Sequence, residues 1–172
     1  LKGAIEAMGS ATFSKPPEFS EHNLIEYESR MRVFGLEKFS LPCYIAYTNF
    51  FLPSADMKKD MPIGALIIFF EHNNAVRLIK SFGYTHINED EESTLLEKIG
   101  EFCATMANKI QAALTQKGYK ELRVSPVATF SNDIPEGVPF YYDEKQYYQL
   151  DLFFWKQKTL ILNLTLGPVP LK

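Results

Sequence analysis

The stretch Asn88–Gly118, NEDEESTLLEKIGEFCATMANKIQAALTQKG, decides the fold. Leu95, Leu96, Ile99, Phe102, Cys103, Met106, Ile110 and Leu114 recur at helical spacing, which predicts one long amphipathic helix with a single apolar stripe. Asn88 with Glu91 has the pattern of a capping box. Asp90, Glu91 and Glu92 put negative charge at the positive end of the helix dipole, and Gly118 closes the helix. At about 100° per residue the stripe centres on Ile99, Cys103 and Met106. Glu97, Glu101, Ala104, Thr105, Asn108 and Ala112 then fall on the far side. Glu101 and Asn108 lie two turns apart, roughly 10.5 Å along the axis. Ala104, one turn from Glu101, keeps the surface low, so another protein can approach closely. A Glu on an exposed helix is ordinarily no more than a solvated residue, and the pattern alone does not lift Glu101 above that.

Outward from this helix the chain reads as alternating apolar elements. Upstream, Gly64-Ala-Leu-Ile-Ile-Phe-Phe70 is continuously apolar, as in a strand buried on both faces. A short helix follows over Ala75–Phe82, with Asn73 or Asn74 as its cap and Gly83 as its end. Cys43–Leu52 is a second strand, and Pro53–Pro62 a polar loop. Ile25–Val33 alternates, with Ile25, Tyr27, Ser29, Met31 and Val33 on one side, the period of a half-buried strand. A helix through Leu24, Tyr27, Met31 and Phe34 is the competing reading. Ala4–Phe13 reads as a helix stopped by Lys15-Pro16-Pro17. Downstream, Ser125–Phe130 reads as a strand and Asn132–Pro139 as a loop. Tyr148–Trp155 and Thr159–Leu166 form a hairpin with its leucines on one side and Asp151, Asn163 and Thr165 on the solvated side. Gly35–Pro42 and Gly118–Pro126 echo each other, with Ala46 and Ala128 beyond them. An internal duplication and chance similarity remain alternative readings of that echo.

With 172 residues, 46% of them hydrophobic and 23% charged, the chain suits one globular domain over residues 1–172. Its 14 Phe, 9 Tyr and one Trp argue against disorder. A net charge of −3 without a Lys/Arg stripe gives no nucleic-acid footprint. The longest apolar run, Leu160–Leu171, is too short to span a bilayer. Glu6 interrupts the opening apolar residues, unlike a secretory signal. Cys43 and Cys103 sit inside apolar patterns and read as buried thiols of a reducing, cytoplasmic compartment.

Other chemistry is sparse. His22, His72 and His86 are scattered, without the spacing of metal ligands. Glu71-His72 at a strand end reads as a turn before it reads as an acid–base pair. No phosphate-binding glycine loop and no serine nucleophile elbow occurs. Tyr141-Tyr142 and Tyr147-Tyr148 read as edge packing, with an aromatic contact surface as the alternative.

The Gly64–Phe70 strand, the Ala75-Val-Arg-Leu-Ile-Lys80 helix, Gly100-Glu-Phe-Cys-Ala-Thr-Met-Ala-Asn-Lys-Ile110, Gly118 and Ser125-Pro126 together resemble the CheC/CheX/FliY-type chemotaxis phosphatases. The likeness covers roughly Ile25–Phe130. It implies an α+β fold, a largely antiparallel sheet packed with long helices. It further implies recognition of a phosphorylated response-regulator receiver domain and removal of its aspartyl phosphate. The family motif is Glu-x-x-Asn on the long helix, with a Pro some 20 residues on. The Glu bridges to a Lys of the regulator, and the Asn orients the attacking water. No cofactor belongs to the phosphatase itself, because the regulator supplies Mg²⁺ and the Asp. Carried over, the Glu is Glu101 and the Pro is Pro126, while the Asn position is Ala104. Glu97, Thr105 and Asn108 complete the partner-facing side. Ala104 has no group to hold a water, and losing such positioning removes a large rate factor. Asn108 is one turn too far to replace it. The resemblance therefore implies a degenerate phosphatase or, alternatively, a non-catalytic binding or dimerisation module, with a homodimer expected in either case.

Overall fold

The computed structural model describes residues 3, 5, 12–52, 62–140 and 145–168. The strands are β1 (Glu18–Asn23), β2 (Glu26–Tyr27), β3 (Arg30–Met31), β4 (Cys43–Phe51), β5 (Gly64–Glu71), β6 (Arg123–Val124), β7 (Ala128–Ser131), β8 (Val138–Pro139), β9 (Gln146–Phe154) and β10 (Gln157–Leu166). The helices are α1 (Leu36–Phe39), α2 (His72–Ser81) and α3 (Glu92–Gln116).

A seven-stranded sheet runs in the order β1-β9-β10-β5-β4-β6, with β7 also paired to β4. Every pairing in it is antiparallel. A second sheet, β2-β3-β8, is small. Strand side chains alternate between faces, and that alternation splits the core in two. Tyr44, Ala46, Leu66, Ile68, Phe70, Leu160 and Leu162 pack under α2 and α3 with Phe102, Cys103 and Met106. Cys43, Ile45, Ala65, Ile67, Phe69 and Ile161 pack on the other face, against Met31, Val33, Val138 and Phe140. β5 lies between β4 and β10 with both faces covered, and all eight of its residues are buried. This explains its unbroken apolar run.

The long helix, β4, β5 and the β9–β10 hairpin fall where periodicity puts them, within a few residues. Trp155 and Lys156, both at positive φ (49° and 63°), make the tight hairpin turn. Several expectations are corrected. Ile25–Val33 is neither one strand nor a helix. Glu28 and Ser29 adopt positive φ (50° and 59°) and fold it into the two-residue strands β2 and β3. Ile25 and Tyr27 are consequently exposed, while Met31 and Val33 are buried. α2 begins at His72, and its cap is Glu71, not an Asn. The Glu71 carboxylate accepts from Asn73 N (3.0 Å), Asn74 N (3.1 Å) and Asn74 Nδ2 (2.6 Å). The expected capping box does not form at α3 either. Glu91 makes no side-chain cap bond; instead Thr94 Oγ1 accepts from Asn88 N and donates to Asn88 O, both at 3.0 Å.

The hairpin side expected to face solvent is covered: Asn163 and Thr165 are 5% and 1% exposed. β1, α1 and β8 have too few patterned residues to announce themselves. Gly35 precedes the four-residue α1, whereas Gly118 (φ 108°) follows the 25-residue α3, so the two echoed glycines do different local work. Of the first expected helix, Ala4 and residues 6–11 lie outside the described residues, as do most of the Pro53–Pro62 loop and Tyr141-Tyr142, while Ile5 is helical and buried in the core under α2 and α3.

Cys43 and Cys103 are free and buried. Burial pushes the Cys43 thiol up to about 11 and Cys103 further up, so both stay protonated at neutral pH. Among the described residues no helix is long and apolar enough to cross a membrane.

Candidate functional site on the long helix

The site begins with how α3 is held. Leu95, Ile99, Phe102, Cys103, Met106, Ala107 and Ile110 are buried in the core beneath it. Phe102 stacks on Phe82 (centroids 4.8 Å apart) and meets Phe70 edge-on at 5.5 Å. These contacts fix the rotation of the helix about its axis, and so fix which side faces out.

Alongside α3 runs the segment from Leu122 to Ser131, in the opposite direction. Ser131 Oγ donates to Glu92 Oε1 at 3.0 Å, and Gln111 Nε2 donates to Leu122 O. Between these ties Gly100 faces the segment: a methyl group there would stand 3.5 Å from Thr129 Cγ2 and 3.9 Å from Val127 Cγ1. Nine residues of extended chain rise about 30 Å, and nineteen of helix about 29 Å, so the two segments keep pace. Pro126 therefore lies at about the level of Ala104, one turn beyond Gly100 on the same side of the helix. Pro126 itself sits in the break between β6 and β7, where Ser125 N donates to Asn49 O at 2.9 Å. A proline is tolerated there because an edge position needs no ladder N–H.

On the outward side Glu97, Glu101 and Asn108 are exposed, as is Pro126, while Ala104 and Thr105 are half-buried. Within the helix, Glu97, Glu101, Ala104 and Asn108 share a sector about 60° wide. Thr105 lies further round. Its Oγ1 donates back to Glu101 O at 2.9 Å and meets Tyr84 Oη at 3.3 Å.

Lys98 is a residue of this surface that periodicity did not single out. Its Nζ lies 2.6 Å from Glu101 Oε1 and 3.1 Å from Glu97 Oε1. Hydrogen bonding to Glu101, then to Glu97, raises the Lys98 pKa. The sequence signal was present, since a Lys three residues before a Glu is a helical neighbour pair. The face thus carries two carboxylates sharing one ammonium. An exposed pair of this kind is weak and salt-screened, so an incoming cation can displace Lys98 at small cost.

Among the described residues no group of three or more His, Cys, Asp or Glu side chains could hold a metal ion. His72, weighed with Glu71 as an acid–base pair, stacks on Tyr44, and Asp151 bonds Lys158 and Gln149. What remains around Glu101 is a low surface that carries two carboxylates and one ammonium, with the methyl group of Ala104 one turn on.

No protein-family profile and no curated protein sequence matches the chain. Solved structures do. CheX from Desulfovibrio desulfuricans superposes with a TM-score of 0.61 at 10% identity, covering 96% of this chain and 93% of that one. A chain of the CheX–CheY–BeF3–Mg²⁺ complex from Borrelia burgdorferi superposes with a TM-score of 0.56 at 13% identity, covering 96% and 92%. FliY from Thermotoga maritima gives 0.55 at 10% identity, covering 98% and 83%. At such identities the agreement is one of fold, reached along nearly the whole chain, and the protein is a divergent carrier of the CheC-like fold that CheX, CheC-like and FliY chemotaxis proteins share.

Proposed function

We propose that this protein is a chemotaxis or two-component signalling protein that recognises a phosphorylated receiver domain through the α3 face around Glu101, and that it binds its partner more effectively than it dephosphorylates it. The observation that carries this reading is the outward Glu101 carboxylate, beside the small Gly100 and Ala104 and level with Pro126. In this reading Glu101 exchanges Lys98 for a cation of the partner, Glu97 and Asn108 extend the contact, and Ala104 and Pro126 set how closely the partner approaches. Mg²⁺ and the phosphorylated Asp come with the receiver domain. Ala104 supplies no hydrogen-bonding group, so no side chain at that position can orient a water for attack.

The test mixes the protein with a receiver domain carrying acyl phosphate and Mg²⁺. Binding is followed by titration and phosphate release by time course. The expected outcome is saturable binding, with phosphate decay close to that of the receiver alone. Glu101→Ala should weaken binding by about tenfold, the typical loss of an anchoring contact. Ala104→Asn should speed the decay by up to about 10²-fold by restoring a positioned amide. No binding, together with no change in decay, would reduce the likeness to one of fold.

A second reading, a homodimerising module, is favoured by β1. That strand pairs only with β9 among the described residues, and its Phe19 is 65% exposed, stacked on Tyr148 at 5.8 Å. We retain the internal duplication within both readings, because the echoed segments lead into β4 and β7. Those strands pair antiparallel, as two-fold copies would, with Ala46 opposite Thr129 and Tyr47 opposite Ala128.

A further inference from the structure

Glu97 and Glu101 stand four residues apart on α3, neighbours of like charge on one side of the helix. Alone, such a pair repels itself and draws in cations. In this chain it is already occupied. Lys98 Nζ donates to Oε1 of both carboxylates, at 2.6 Å to Glu101 and 3.1 Å to Glu97. The three side chains differ in exposure: 19% for Lys98, against 66% for Glu97 and 46% for Glu101.

That difference follows from the helix. Lys98 comes three residues after the buried Leu95 and four before the buried Phe102, so its stem runs along the margin of the apolar stripe while its ammonium reaches the carboxylates. A stem held in this way has less freedom to lose in pairing than that of a fully exposed lysine. Bonding to Glu101, then to Glu97, keeps the ammonium charged through the neutral range.

Oε2 of Glu97 and of Glu101 makes no hydrogen bond among the described residues. Two carboxylates and one ammonium leave the face one net negative charge, and without Lys98 it would hold two. The face therefore still attracts basic partners. An arriving cation, however, gains only what it offers beyond the resident one. A cation on a surface that also fits over Ala104 and Pro126 has that excess, and an isolated basic segment does not.

We propose that Lys98 is a resident competitor at the α3 face: it occupies the Glu97–Glu101 pair in the free chain, lowers the affinity of every cation that arrives there, and so restricts binding to a basic partner with further contacts on the same surface. Where the function proposed above holds, the phosphorylated receiver domain meets this competitor too.

Tetralysine, a basic segment with no surface of its own, is titrated at low salt into the full chain and into Lys98→Met, with the Glu101 side-chain carboxyl carbon followed by NMR. Methionine keeps the unbranched stem and removes the charge. Binding about threefold tighter in Lys98→Met is expected, the scale of an exposed ion pair, and the gain should vanish at molar salt. Lys98→Gln should give the same gain. Lys117→Met makes the same change in net charge just beyond the far end of α3, and should leave tetralysine affinity as in the wild type. No gain in either Lys98 variant overturns the proposal. So does an equal gain in Lys117→Met, which would trace the effect to net charge alone. The receiver domain should also bind Lys98→Met about threefold more tightly, and an unchanged affinity would overturn the competition for that partner. A receiver domain that binds neither chain sinks the receiver reading, and the tetralysine titration still decides the competitor.

Discussion

Gly100 and Gly35 are single letters of one kind in the sequence, and the space around each gives it an opposite part. Gly100 is interior to α3, where the missing Cβ costs backbone entropy, and a methyl there meets Thr129 and Val127 at ordinary contact distance. Gly100→Ala should therefore stabilise the protein by about 0.5–1 kcal/mol, seen as a melting temperature raised by a few degrees. A methyl at Gly35 would run into the Asn132 carbonyl oxygen and Cys43 Sγ. Gly35→Ala should cost about 1–3 kcal/mol of overpacking in the same thermal measurement. Ala104 shows the same division. Its identity, and therefore its lack of a water-holding group, was plain from the sequence. Its half-buried place, level with Pro126, required the fold.

At the level of elements, α3 was legible because a buried stripe over 25 residues repeats often enough to exclude other periods. β5 was legible because a central strand covered on both faces leaves an unbroken apolar run. The β2–β3 hairpin was not, because its turn is made by Glu28 and Ser29, neither of them a glycine, held at positive φ by the surrounding structure. The N-terminus of α2 was missed for a related reason. Glu71 is both the last residue of β5 and the acceptor for Asn73 N and Asn74 N, and no local pattern favours a Glu over two adjacent Asn residues as cap. Glu71→Ala should cost about 1–2 kcal/mol, measured by chemical denaturation. Replacing Asn73 with Ala should cost far less, since only its backbone N–H takes part in the cap.

For the whole molecule, the sheet has an open edge at β1 among the described residues, with Phe19 and Tyr148 exposed beside it. If two copies pair along that edge, light scattering should report twice the monomer mass of 19.7 kDa. Introducing a proline at Ser20, in the middle of β1, should then return the monomer, because it removes a ladder donor. A monomeric mass for the unaltered chain would exclude the dimer.

The sequence by itself determined the long helix, the central strand, the C-terminal hairpin and the Glu101 side of the helix, together with the likeness to CheC-type proteins. The elements rest on repeats of hydrophobicity that survive without knowledge of neighbours, and the likeness rests on the order of elements with the Gly100–Ile110 and Ser125-Pro126 motifs. Only the tertiary structure decided that Lys98 holds Glu101, that Pro126 comes level with Ala104, and that Asn163 and Thr165 are buried. Those facts depend on which segments meet: the outer face of the β9–β10 hairpin carries polar residues, and nothing in their spacing reveals that the chain between β1 and β4 folds back over them.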